Sequence, residues 1–220
     1  MTTMEWNNTA QLLNLFYSHK LHVDEVCKTP EKPSGAMLNL CNDILCSLGS
    51  ISIHDIIDCL KRDYSPFEIG TSDIPQFSDI ERCAFRTPYL VLASGQKDIS
   101  FTQMGFMLLR SPKKDEAYRK YGENQAKTAA QMGLCSISGT KINASYLGIA
   151  YSRLTEEDQK RLLPKLILYV PIIQNYFIGG QKQQLIDSYF ESIAESTKIR
   201  RGASVKALIQ IVEKQLEDEL

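Results

Sequence analysis

Asn124, Lys127, Thr128 and Gln131 stand at i, i+3, i+4 and i+7, which puts them on one face of any helix that holds them. Carboxamides can bond bidentately to an adenine edge and an ammonium can donate to guanine, so this row carries the chemistry of base readout in a DNA major groove. The stretch before it, SPKKDEAYRKYG, sets Lys113, Lys114, Arg119 and Lys120 against Asp115 and Glu116. Such an excess suits backbone phosphates, to which Tyr118 and Tyr121 could add hydrogen bonds. The competing role for the row is the solvated side of an amphipathic helix.

Two further cationic groups offer the same chemistry. Arg82 and Arg86 lie one helical turn apart in DIERCAFR, with Lys97 further on; for Arg82 an ion pair with Asp79 or Glu81 competes. The segment STKIRRGAS supplies Lys198, Arg200 and Arg201 and reads as a polar turn beside a helix N-terminus, a place that binds phosphate. The acidic residues Glu217–Glu219 favour self-masking or simple solvation there instead. Over the whole chain, 25 Lys and Arg face 26 Asp and Glu, a net charge of −1. The molecule is therefore no polycation, and nucleic-acid affinity depends on where its cations stand.

Other chemistries find no footing. There is no Ser-His-Asp arrangement, Walker loop or GxGxxG, and only three histidines. Six cysteines are scattered without a CxxC pair, as reduced, mostly buried thiols would be. HKLHVDEVC offers His19, His22 and Cys27, but a structural zinc needs about four ligands in two tight pairs and no second pair follows. No metal or cofactor is expected. The absence of a run of about 18 apolar residues, and of a basic-then-apolar leader in the first residues, predicts a cytoplasmic chain with no membrane role.

The elements that must hold these residues are mostly helices. A helix is predicted around Thr9–Ser18, followed by the Pro-containing linker KTPEKPSG, so residues 1–33 read as an arm. Residues 34–111 read as a first winged helix: AMLNLCNDILCSL, then IHDIIDCLKRDY capped by Ser52, then DIERCAFR opened by a Ser78–Glu81 capping box, then YLVLAS and DISFT as a hairpin around Gly95. Residues 112–180 repeat the order. A helix from Asp115 runs through ENQAKTAAQMG to Gly133, and LCSIS, a Gly-Thr turn and KINA form a hairpin. TEEDQKRLLPKLILYV, kinked or shortened at Pro164, and PIIQNYFI, started by Pro171 and stopped by Gly179-Gly180, follow as helices. Residues 181–220 read as a helix-turn-helix-like module with a helix in QQLIDSYF, a basic turn and a final helix.

One phrase is written twice. KDISFTQMGFMLLRS (97–111) and TKINASYLGIAYSRL (140–154) each set Ile99 or Ile142 shortly before a hydroxyl, Thr102 or Ser145, and a glycine three residues on, Gly105 or Gly148. Each reads as the last strand of a wing, an N-cap, and a helix whose glycine lets its backbone approach the hairpin.

The stretch YRKYGENQAKTAAQMGLCSISGTKINASYLGIAYSRLTEEDQKRLLPKLILYVPIIQNYF resembles the winged-helix modules in the recognition part of type IIS restriction endonucleases of the FokI kind. The matching residues are Met132-Gly133-Leu134, Ser145 to Gly148, Thr155 to Asp158, and Pro171. ESTKIRRGASVKALIQIV is similar to the basic helix ends of restriction-associated helix-turn-helix domains. The resemblance implies double-stranded DNA as partner and a nuclease or other defence-system subunit that supplies cleavage. Such a nuclease holds Mg²⁺ with an Asp and a strand-borne Glu-x-Lys; here only loop-like Glu31-Lys32 and Asp115-Glu116 come near that pattern.

The expectation is a mainly α protein with small β-hairpins, a tandem winged helix-turn-helix plus a C-terminal helical module. It would bind double-stranded DNA sequence-specifically without catalysis, as the recognition subunit of a restriction or defence system. The competing functions are a transcriptional regulator, as a homodimer through a terminal helix, and a protein-interaction scaffold.

Overall fold

In a computed structural model the chain is mainly helical, with one small antiparallel sheet of three strands. The structure describes residues 3–27, 32–109, 111–179, 187–191 and 193–220. The linker residues Lys28–Glu31, the stop at Gly180 and the first half of QQLIDSYF lie outside the described residues. In chain order the helices are α1 (Thr3–Tyr17), α2 (Gly35–Ser50), α3 (Ile53–Lys61), a π-helical turn (Arg82–Arg86) running into α4 (Thr87–Ala93), α5 (Phe101–Leu108), α6 (Asp115–Gln131), α7 (Tyr146–Ser152), α8 (Glu156–Ile167), α9 (Pro171–Ile178) and α10 (Glu195–Asp218). The strands are β1 (Ile99–Ser100), β2 (Cys135–Ser138) and β3 (Lys141–Ala144).

The residues form two compact units, one of 1–22, 43–74 and 160–220, the other of 23–42 and 75–159. In the first unit Ser52 caps α3, its Oγ accepting the Asp55 N–H at 3.0 Å, and Ile53, Ile56, Ile57 and Leu60 bury the face that this spacing creates. The last carbonyls of α2 lack helical partners. Buried Lys165 meets one of them, donating from Nζ to Leu48 O at 2.7 Å and also to Ile51 O just past the helix, while Arg161 Nη1 donates to Gly49 O at 3.3 Å. Cations at a helix C-terminus also oppose its dipole. Pro164 sits inside α8, which runs on to Ile167.

The expected turn STKIRRGAS is not a turn: it lies within the 24-residue helix α10. Gly202 there costs about 1 kcal/mol against alanine, which a long packed helix absorbs. The C-terminal end of α10 docks on the start of α3, where Glu219 accepts the Ile53 N–H at 2.7 Å and His54 Nε2 lies 2.9 Å from Leu216 O.

In the second unit the β2–β3 hairpin forms as expected, with Ser138 paired to Lys141 across Gly139-Thr140. Gly139 holds a positive φ of 60°, as the first position of a II′ turn requires. The first hairpin does not form. YLVLAS is helical, most of it in α4, and α4 buries Thr87, Pro88 and Val91. A short apolar run without alternation cannot tell strand from buried helix, and Pro88 at the start of α4 favours the helix.

What remains of that hairpin is β1, and it pairs with the other copy of the repeat. Ile99 faces Ile142 and Ser100 faces Lys141, giving the sheet order β1-β3-β2. The repeated phrase thus builds one sheet from two strand-to-helix junctions. The cap of α5 is Ser100 rather than Thr102: Ser100 Oγ accepts the Gln103 N–H at 3.2 Å, and Gln103 Oε1 accepts the Ser100 N–H at 2.8 Å. Gly105 approaches α6 rather than a hairpin, since a methyl group there would overlap the Tyr118 carbonyl. Gly122 returns the contact against the Phe101 carbonyl. Gly148 does reach the hairpin, against the carbonyl of Leu134 at the start of β2.

Candidate nucleic-acid interface

The helix that sequence reasoning put in contact with DNA, α6, is fixed from its inner side. Tyr118, Gly122, Gln125, Ala126, Thr128 and Ala129 are buried, a stripe at helical spacing. Gln125 is satisfied by two neighbours: its Nε2 donates to Ser78 Oγ at 3.0 Å and its Oε1 accepts from the Cys83 thiol. Thr128 belongs to this inner side, its hydroxyl donating to Gln76 O at 3.4 Å, so it does not stand on an exposed row with Lys127. Asn124 and Gln131 are half-buried, and Lys127 is exposed.

The outer side of α6 carries a ladder of ion pairs. Arg119 bonds Glu116 at 2.8 Å and Glu123 at 3.3 Å, and Lys127 bonds Glu123 at 2.6 Å. Exposed pairs of this spacing contribute about 0–1 kcal/mol, so a phosphate can displace them. Lys113, Lys114 and Lys120 are exposed and form no ion pair among the described residues. Lys120 and Lys127 are seven residues apart, two helical turns on one face.

The two tyrosines serve the fold. Buried Tyr118 accepts the Lys113 N–H at 3.0 Å and donates to Ser111 O at 3.3 Å, which holds the lead-in against the helix. Tyr121 Oη lies 3.1 Å from Ser78 Oγ and accepts from Arg82 Nη1 at 3.3 Å. Arg82 also pairs with Asp79 at 3.1 Å, the competing role raised by its sequence. Arg86 is exposed on the rim of a cleft of about 530 Å³ lined by Phe85, Tyr89, Met107 and Leu154.

At the sheet, Lys97 is exposed and Lys141 pairs with Asp98 at 3.0 Å. Sequence reasoning passed over Lys141, although its place directly after the Gly-Thr turn marks it as a hairpin-tip cation. Charge is also segregated along the chain: residues 75–153 hold eleven Lys and Arg against six Asp and Glu, while the whole chain is −1. Lys198, Arg200 and Arg201 stand on the first two turns of α10, with Lys198 and Arg200 exposed and Arg201 half-buried.

Four of the six thiols are withdrawn from solvent. Cys27, Cys41, Cys83 and Cys135 are buried, and desolvation pushes Cys41 up to about 12 and Cys83 well above the ordinary thiol value. His19 stacks on Tyr169 at 3.9 Å, its Nε2 lying 3.0 Å from Tyr169 O. Among the described residues no three His, Cys, Asp or Glu side chains are grouped as metal ligands, and no single helix is long and apolar enough to cross a membrane. No family model, curated protein or solved structure matches the chain.

Proposed function

We propose that the second unit is one winged helix-turn-helix that binds double-stranded DNA, with α6 in the major groove and the β2–β3 hairpin as its wing. The observation that carries this reading is the connectivity. Helix α4, strand β1, helices α5 and α6, then the hairpin β2–β3, with β1 closing the sheet beside β3, is the order of a single winged helix. In that order α5 and α6 are the helix-turn-helix pair, and the later helix of such a pair reads the groove.

Electrostatics supports the same face. Lys113, Lys114 and Lys120 are free for phosphates, Lys97 and Lys141 stand by the sheet, and Lys127 with Asn124 can approach base edges, while the Gln131 side-chain oxygen is buried. The ladder through Glu116 and Glu123 adds specificity: those carboxylates repel phosphate unless Arg119 and Lys127 exchange partners on docking.

The role that fits is sequence recognition without cleavage, as the DNA-reading component of a restriction or other defence system. Recovery of bound sequences from a random-duplex pool tests it. One enriched short asymmetric motif supports a recognition component, and a palindromic motif moves the reading to a dimeric regulator. Mg²⁺-dependent cutting by the purified chain, or no retained duplex at low salt, overturns it.

A further inference from the structure

Helix α10 contains a cation that its own surroundings leave unanswered. Arg201 Nε and Nη1 are shut off from solvent and have no hydrogen-bond acceptor among the described residues. A guanidinium stays charged in a protein, so it cannot escape burial by losing a proton. Buried charged donors without acceptors destabilise a fold until an anion or water meets them. Burial and the adjacent Arg200 charge both work against its charged form.

No acidic neighbour along the helix relieves it. From Ser196 to Val212 the sequence has no Asp or Glu but has Lys198, Arg200, Arg201 and Lys206. Lys198, one turn before Arg201 on the same side, is exposed. Arg200 is tied down locally, its Nε donating to Ser196 O at 3.1 Å and its Nη2 to Thr197 Oγ1 at 3.3 Å. Arg201 thus holds sheltered donors with no acceptor among the described residues, and exposed Lys198 and Arg200 add two further positive charges on the same turns.

We propose that Arg201 and Lys198 form a binding site for a phosphate-type oxyanion on the first turns of α10. The guanidinium supplies N–H donors to the anion's oxygens, its sheltered edge turning out to meet them, and Lys198 supplies a point charge. A multiply charged tetrahedral anion suits this surplus of cations better than a single carboxylate. The site lies in the first unit and does not depend on α6 reading DNA. Its occupant is a free phosphate or a nucleic-acid backbone phosphate.

Thermal unfolding of the full chain in inorganic phosphate, against chloride at equal ionic strength, tests the site. Phosphate is expected to raise the midpoint of the wild type. Arg201→Met should lose the phosphate-specific part of that rise and, freed of an unanswered charge, unfold at a higher temperature in chloride. An equal phosphate response in the two proteins overturns the proposal, because it would reflect only the general salting effect. Nitrogen-15 spectra of the wild type give a check that needs no variant: the Arg201 Nε–H signal should shift saturably with phosphate, and a signal that stays put overturns the site.

The salt dependence of duplex binding then identifies the source. If backbone phosphate is the occupant, Arg201→Met reduces the slope of log K against log salt by about 0.9. An unchanged slope with the phosphate response intact assigns the site to free phosphate. Absence of all duplex binding beside an intact phosphate response would refute the winged-helix reading and leave this site standing.

Discussion

Ser100 and Ser145 open the two helices of the repeated phrase, and they do so in opposite surroundings. Ser100 is partly exposed and forms a reciprocal box with Gln103, so its bonds stay within one helical turn. Ser145 is fully buried; its Oγ accepts the Gly148 N–H at 2.8 Å and donates to Gly133 O at 2.6 Å, twelve residues back. One cap is local and the other is a tertiary contact that ties α7 to the end of α6. The glycines divide in the same way, Gly105 against a helix and Gly148 against the start of a strand. The same local grammar is therefore compatible with two packings, and pairing of Ile99 with Ile142 joins the copies into one sheet.

The largest effects should come from the glycines. Gly105→Ala and Gly148→Ala each drive a methyl group into a backbone carbonyl, which cannot swing aside as a side chain can. Each should lower stability by about 3 kcal/mol or more, read from urea unfolding; tolerance of either alanine would break the comparison at its root. Ser145→Ala comes next. It leaves the Gly133 carbonyl and the Gly148 N–H without their shared partner in a buried site, at a cost of about 2 kcal/mol.

Ser100→Ala should cost about 1 kcal/mol, the ordinary loss of an exposed cap, while Thr102→Ala stays within about 0.5 kcal/mol. The reverse ranking would restore Thr102 as the cap. The smallest signal is a rate. Buried Cys135 at the start of β2 should label with a thiol reagent far more slowly than exposed Cys46. Ser145→Ala should speed labelling of Cys135, and Ser100→Ala should not.

Much of this junction was legible in the residues. The Gly-Thr hairpin, the cap at Ser145 and the close glycine at Gly148 follow from turn and capping chemistry. The true cap of α5 was also written there: Ser100-Phe101-Thr102-Gln103 is a Ser-x-x-Gln box, outweighed by matching Thr102 to Ser145. YLVLAS was not legible, because four apolar residues in a row suit either period. The polar row on α6 was legible in part. Spacing alone joins Thr128 to Lys127, yet they differ by 100° around the helix, and packing against Gln76 turns Thr128 inward. The Glu116–Arg119–Glu123–Lys127 ladder was available at three- and four-residue spacing and shows how a basic stretch can neutralise itself.

The most direct test of DNA binding by the second unit is fluorescence anisotropy of a labelled duplex across a salt series. It compares the wild type with a Lys113→Ala, Lys114→Ala, Lys120→Ala triple variant. These lysines are exposed and unpaired among the described residues, so folding should be unchanged. The wild type is expected to bind at low salt and weaken steeply, and the variant's log–log slope should be shallower by about 2.7 if each lysine meets one phosphate. No binding by the wild type at low salt, or a variant with an unchanged slope, would contradict DNA recognition through α6.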